Sequence, residues 1–223
     1  MSGAPELAPL LLSLRVSLQA TVLALLAGLP VAWLLARRDL PGRDFWTVLV
    51  LLPMVLPPTV LGYYLLLAIG RGGPVARLAG ALGVERIVFT PAAAVLAAFV
   101  ASVPFLIRSA QAGFEQVDRA QVEVARTLGR SEWAIALTVS LPLAWRGILA
   151  GVALAFARAM GEFGATVMVA GSVAGRTRTG SIAIYEAVQA GRMSEANVLA
   201  VLLTLVAAGV LLLLSRIGGR SRW

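Results

Sequence analysis

Five apolar runs separated by polar intervals lay out this chain. They cover about Leu10–Leu35, Phe45–Ile69, Val88–Ile107, Pro142–Phe163 and Ala196–Leu214. A helix needs about 20 apolar residues to cross a bilayer core, so each run reads as a transmembrane helix. The pattern predicts an all-α integral membrane protein with five spans in a single domain, or six if the region Gly161–Val188 is split. Small residues mark the faces that pack. Ala20, Ala24, Gly28 and Ala32 recur every fourth position in the first run, where Arg15 can snorkel from near its start. Gly147, Gly151, Ala155 and Ala159 do the same in the fourth, predicting a tight seam against a dimer partner or a pathway.

Two runs carry interruptions. Pro53, Pro57 and Pro58 break the second, freeing carbonyls that are tolerable only against protein or a wet cavity. That run is therefore a kinked packing helix or a break lining a pathway, with Thr59 a hydroxyl donor in the second case. The fourth run carries Arg158 and Glu162 one turn apart, then the segment Gly161–Thr166 that ends the helix. Arg158 lies about 22 Å above Leu143 at ~1.5 Å per residue, in the outer half of the core, so it must face protein or water. The pair is either structural neutralisation or, with Thr166, part of a gate where a guanidinium attracts an oxyanion. A short amphipathic helix is expected within 181–195.

The long polar interval Phe114–Pro142 has its own helical pattern. Asp118 can cap a helix with Gln121 reaching back, and Gly129 supplies the left-handed residue that stops it after Leu128. Val117, Gln121, Val124 and Leu128 fall on one face; Arg119, Glu123 and Arg126 fall on the other. Ser131 can cap a second turn over 133–139, and Pro142 suits the first turn of the next span. From these residues alone, the helix either lies on the bilayer or plugs into a partner.

Composition narrows the classes. Hydrophobic residues make up 59% and charged residues 13%, against roughly 25% charged in soluble domains. The net charge of +8 is spread as arginine through nearly every loop, which fits lipid headgroups and membrane orientation, not nucleic acid. With no Cys and no His there is no disulfide framework, His-based triad or usual zinc site. All 19 basic residues are Arg, so the Lys of a phosphate-binding P-loop is missing and any ATPase must be another polypeptide. The first residues, MSGAPELAPL, lack a basic n-region, and no cleaved signal peptide is expected.

Glu123-Val124-Ala125, three residues, Gly129, nine residues, then Val139-Ser140-Leu141-Pro142 resembles the EAA loop of ABC importer permeases. It departs from the family pattern only by Val124 for Ala and Val139 for Ile. Leu56–Tyr64 and Arg158–Thr166, followed by Gly175-Arg176-Thr177-Arg178-Thr179, resemble molybdate permeases more narrowly. The resemblance spans about 51–195 and implies a homodimer with its pathway on the two-fold axis. It also implies two copies of an ABC ATPase, an extracytoplasmic oxyanion-binding protein and a multi-pass place in the inner membrane. ATP and Mg would be bound by the partner ATPase, with no cofactor in this chain and no catalysis by it. The coupling residues would be Arg119, Glu123, Val124, Ala125, Leu128, Gly129, Leu141 and Pro142. Glu123 would orient the helix or pair with the ATPase, unless it pairs with Arg119 within the helix. A cytoplasmic EAA coupling-helix loop puts 11 arginines inside and 7 outside, the sign expected of the positive-inside rule. Sulfate or tungstate could replace molybdate as the cargo. A nucleotide-independent secondary transporter is the distant alternative, but only Glu162 puts an acid within a span.

Overall fold

A computed structural model describes residues 7–37, 39–81, 83 and 86–219. Three of the arginines counted inside, Arg38, Arg220 and Arg222, and the first six positions lie outside the described residues. Among the described residues every regular element is helical: α1 (Ala8–Ala36), α2 (Arg43–Val55), α3 (Pro58–Ile69), α4 (Pro74–Ala81), α5 (Pro91–Glu115) and α6 (Arg119–Thr127). They continue with α7 (Glu132–Ile135), a π-helical turn (Ala136–Ser140), α8 (Leu141–Met160), α9 (Gly164–Ala170), α10 (Gly180–Gln189) and α11 (Met193–Gly219).

The core is a stack of α1 on α5 on α8. Small residues let the backbones meet. Ala20, Ala24 and Ala32 are fully buried, and a methyl on Gly28 would lie 3.0 Å from Ile107 and 3.2 Å from Leu106. The Gly147 stripe packs on α5 of the same chain, not on a dimer partner or a pathway as expected. A Cβ on Gly147 would stand 2.6 Å from the Gly113 Cα, and one on Gly151 would stand 3.0 Å from the Leu106 carbonyl oxygen. The Ser109 hydroxyl donates to the Gly147 carbonyl across this seam at 2.9 Å. Two glycines, Gly113 and Gly147, meet there. The sequence stripe named only one of them.

The second apolar run is two helices, bent by 109°. A residue preceding proline is pushed out of the α region. Leu56 precedes Pro57 and Pro57 precedes Pro58, so two successive residues are extended, with ψ of 138° and 139°. Pro53 is absorbed inside α2 and breaks nothing. Five spans are reached only when α2 and α3 count together; α1, α5, the continuous helix through α8 and α11 are long and apolar enough alone. The sixth-span alternative fails, because α9 and α10 have 7 and 10 residues, about 10 and 15 Å at ~1.5 Å each. The amphipathic helix expected at 181–195 is α10, which ends at Gln189.

The third span begins later and ends later than its apolar run. Thr90 caps α5 by accepting from the Ala93 amide, Pro91 fills the first turn, and nothing breaks the helix until Gln116. Arg108, expected to follow the span, is inside α5 and donates to Gln111 at 3.4 Å.

Candidate functional site

The polar interval folds into a cap on one end of the bundle. Asp118 accepts from the Ala120 amide at 2.9 Å and starts α6; the Gln121 side chain makes no return bond among the described residues. Gly129 ends the helix with φ of 74°, while Arg130 N–H reaches the Ala125 carbonyl and Gly129 N–H the Arg126 carbonyl. That pair of bonds is a Schellman stop, which satisfies two carbonyls the helix end would leave free. Ser131 then accepts from the Ala134 amide and starts α7.

The faces of α6 are arranged contrary to an ordinary surface helix. Gln121, Val124 and Leu128 point outward, Leu128 being 75% exposed, and only Ala125 is buried. Arg119, Val122, Glu123 and Arg126 line a solvent-open cavity of about 610 Å³ on the other side, where the three charged side chains remain exposed. Trp33, Arg37, Arg43, Phe114, Glu115 and Glu132 line the rest of its wall, with others. No ion pair joins Arg119 to Glu123 among the described residues, so the internal pair is not formed.

Two polar clusters brace this end. Arg126 donates through Nε to Glu132 Oε1 at 2.6 Å and through Nη2 to Oε2 at 3.1 Å. The hydrogen bond to Glu132 raises the Arg126 pKa, so the guanidinium stays charged. Arg37, the residue capping α1, reaches the same Glu132 at 3.6 Å and holds Asp39 at 3.1 Å, which lowers the Asp39 pKa. Trp33 stacks on Trp133 with centroids 5.5 Å apart, and the Arg37 guanidinium lies 5.4 Å from the Trp33 ring centre. In the second cluster Arg43 donates to the α1 carbonyl of Leu35 at 2.7 Å and pairs with Glu115. Buried Gln111 donates to the same carbonyl and to Glu115.

Leu141 and Pro142 follow the π turn. In it the Leu141 amide bonds to the Ala136 carbonyl, five residues back. Pro142 has no amide to offer Thr138, and a widened turn is one way a helix absorbs that loss. As a result α7, the π turn and α8 run as one continuous helix rather than a separate turn and span.

The second group of candidate residues lies deeper in the bundle. Arg158 Nη2 and Glu162 Oε2 are 2.7 Å apart, with side chains 28% and 1% exposed. The other Glu162 oxygen accepts from the Ala165 amide at 2.8 Å, so one carboxylate neutralises α8 and starts α9. Thr166 is buried in α9, whereas Thr59 is exposed at the start of α3. The two segments meet: a Cβ on Gly164 would lie 2.7 Å from the Pro58 side chain, and one on Gly62 would lie 2.9 Å from the Ala165 Cα. The double-proline bend and the Gly-Glu-Phe-Gly break, far apart in sequence, form one joint.

Residues 24–219 match the family described as binding-protein-dependent transport system inner membrane component. This chain belongs to that family. Among curated proteins, the permease is 39% identical over 195 residues to the molybdenum transport system permease protein ModB of Azotobacter vinelandii, covering 87% of this chain and 86% of that one. It is 42% identical to ModB of Escherichia coli K12, covering 83% and 81%. Its fold matches a chain of the inward-facing MetNI methionine ABC transporter with a TM-score of 0.74 at 16% identity, covering 97% and 98%. A bacterial alginate importer matches with a TM-score of 0.70 at 16% identity, covering 96% and 80%. As an inner membrane component of an ABC transporter, the permease is a multi-pass, non-catalytic transport subunit.

Several residues that build the permease's site carried no readable signal. Trp33 and Arg37, one turn apart, lie about a hundred positions from Glu132 and meet it only because α1 and α8 run side by side. Gln111, four residues beyond the third apolar run and buried in α5, needs partners for its amide.

Proposed function

We propose that this permease forms the membrane path of an ATP-driven importer for molybdate. The observation that carries the cargo is the 39% and 42% identity to two permeases named for molybdenum transport over most of their length. The outward Val124 and Leu128 carry the coupling: an exposed apolar edge on a helix whose other edge is tied through Arg126 to Glu132 is a face for a protein groove. That groove belongs to an ABC ATPase, one under each of two permease copies, and ATP and Mg reside there. Arg119 and Glu123 face the cavity behind the helix, while Leu141 and Pro142 connect it to α8. The loop end lies in the cytoplasm, and a binding protein delivers the anion at the opposite face.

Transport is alternating access. ATP favours one arrangement of the ATPase pair and its release favours the other, and the two permease copies follow. The joint of α3 and α9 sits beside the two-fold pathway, with Thr59 as a donor along it. Arg158 and Glu162 hold α8 and α9 at a fixed angle, and Thr166 anchors α9 in the core.

The test is anion-stimulated ATPase activity of the permease reconstituted with its ATPase and binding protein. Molybdate stimulates the wild type, and Gly129→Asp, which strains a left-handed position, uncouples it or prevents assembly. Stimulation by sulfate or tungstate alone moves the cargo and keeps the machine. Uptake that persists without the ATPase refutes the reading.

A further inference from the structure

The structure assigns Glu132 as a positioning residue that passes the displacement of α6 to α1. This rests on the importer reading and adds a component outside the EAA pattern. Among the described residues, α6 packs appreciably only on α7 and the π turn. The cavity of about 610 Å³ separates its inner face from the ends of α1 and α5. A push on α6 therefore has no direct surface of α1 to act on.

Glu132 spans the gap. Its two oxygens take a bidentate grip from Arg126 of α6, at 2.6 and 3.1 Å, and one of them faces Arg37, the residue capping α1, at 3.6 Å. A two-point Arg–carboxylate contact fixes direction as well as distance, which a single contact does not. Trp133, next in sequence, stacks on Trp33 one turn before Arg37, so α7 and the end of α1 move together. Arg130 adds a tie from the α6 stop to Thr138 in the π turn at 3.3 Å. Beyond that turn α8 is held to α5 at the Gly113–Gly147 contact. The push thus has two routes, one up α8 and one through Glu132 into α1. With both intact, the α1–α5–α8 stack moves as one body.

These side chains are 31 to 49% exposed, so their ion pairs add little to folding. A substitution here leaves the fold intact and exposes the mechanical role. The permease, its ATPase and its binding protein are reconstituted in proteoliposomes, and molybdate taken up per ATP hydrolysed is measured. Glu132→Gln and Arg37→Gln each lower that ratio about fivefold, the low end of coupling between sites, while the ATPase still co-purifies. The double variant is no worse than either single one, and Arg37→Lys keeps most of the ratio. A Glu132→Gln ratio equal to wild type overturns the relay, and so does loss of the ATPase, which would make Glu132 a docking residue. Wild-type uptake that needs no ATP would instead overturn the importer reading itself.

Discussion

Gly147→Ala adds one methyl group at the tightest point of the bundle. Its carbon would sit 2.6 Å from the Gly113 Cα, 3.0 Å from the Gly113 nitrogen and 3.1 Å from the Ser109 carbonyl oxygen. All three are backbone atoms, so no side chain can swing away. Carbon atoms at rest stand about 3.5–4.0 Å apart, so α5 and α8 must part by about 1 Å. Overpacking of this kind costs about 1–3 kcal/mol. Parting also breaks the 2.9 Å bond from Ser109 to the Gly147 carbonyl, worth about 1 kcal/mol. Against this, Ala in a helix gains about 1 kcal/mol over Gly. The net loss is about 1–3 kcal/mol, or a Tm lower by about 2–12 °C for a chain of this size.

Gly209→Ala is the internal control, since a Cβ there meets nothing within 4 Å and only the helix gain remains. Gly151→Ala falls between, its contacts being 3.0 to 3.2 Å. Thermal unfolding of the three purified variants in one detergent should rank them Gly147, Gly151, Gly209 from least to most stable. A Gly147→Ala protein as stable as Gly209→Ala would refute the seam.

Arg158→Ala strands the Glu162 carboxylate, whose side chain is 1% exposed, and should cost about 3–5 kcal/mol in thermal unfolding. Glu162→Gln should cost less, because its carbonyl still serves the Ala165 amide and Arg158 can reach water; equal losses would refute that asymmetry. Leu128→Asp should change stability by less than about 0.5 kcal/mol, since this side chain is 75% exposed. It should nevertheless lower retention of the ATPase on the purified permease by about tenfold, some 1.4 kcal/mol of binding, and full retention would refute the docking face.

Local chemistry was legible in the sequence wherever a short stretch decides it. Apolar length gave the spans, Asp118 and Gly129 gave the bounds of α6, Ser131 gave only the start of α7, and consecutive prolines gave the bend between α2 and α3. The EAA spacing and the strings around Pro57 and Glu162 pointed to the family that residues 24–219 match. Small-residue stripes showed which faces approach closely, because only missing side chains permit it. They could not name the neighbour: the Gly147 stripe meets Gly113 of the same chain, a pairing set by the path of α5. Nor could periodicity say which side of α6 faces out. The apolar side would be inward on an isolated soluble domain, but here Val124 is 58% exposed, while Arg126, itself half exposed, pairs with Glu132 on the cavity side. Ion pairs between residues about a hundred positions apart depend on which helix ends lie together. Tertiary structure alone decided that, since contact between distant residues is a property of the packed chain and not of any window along it.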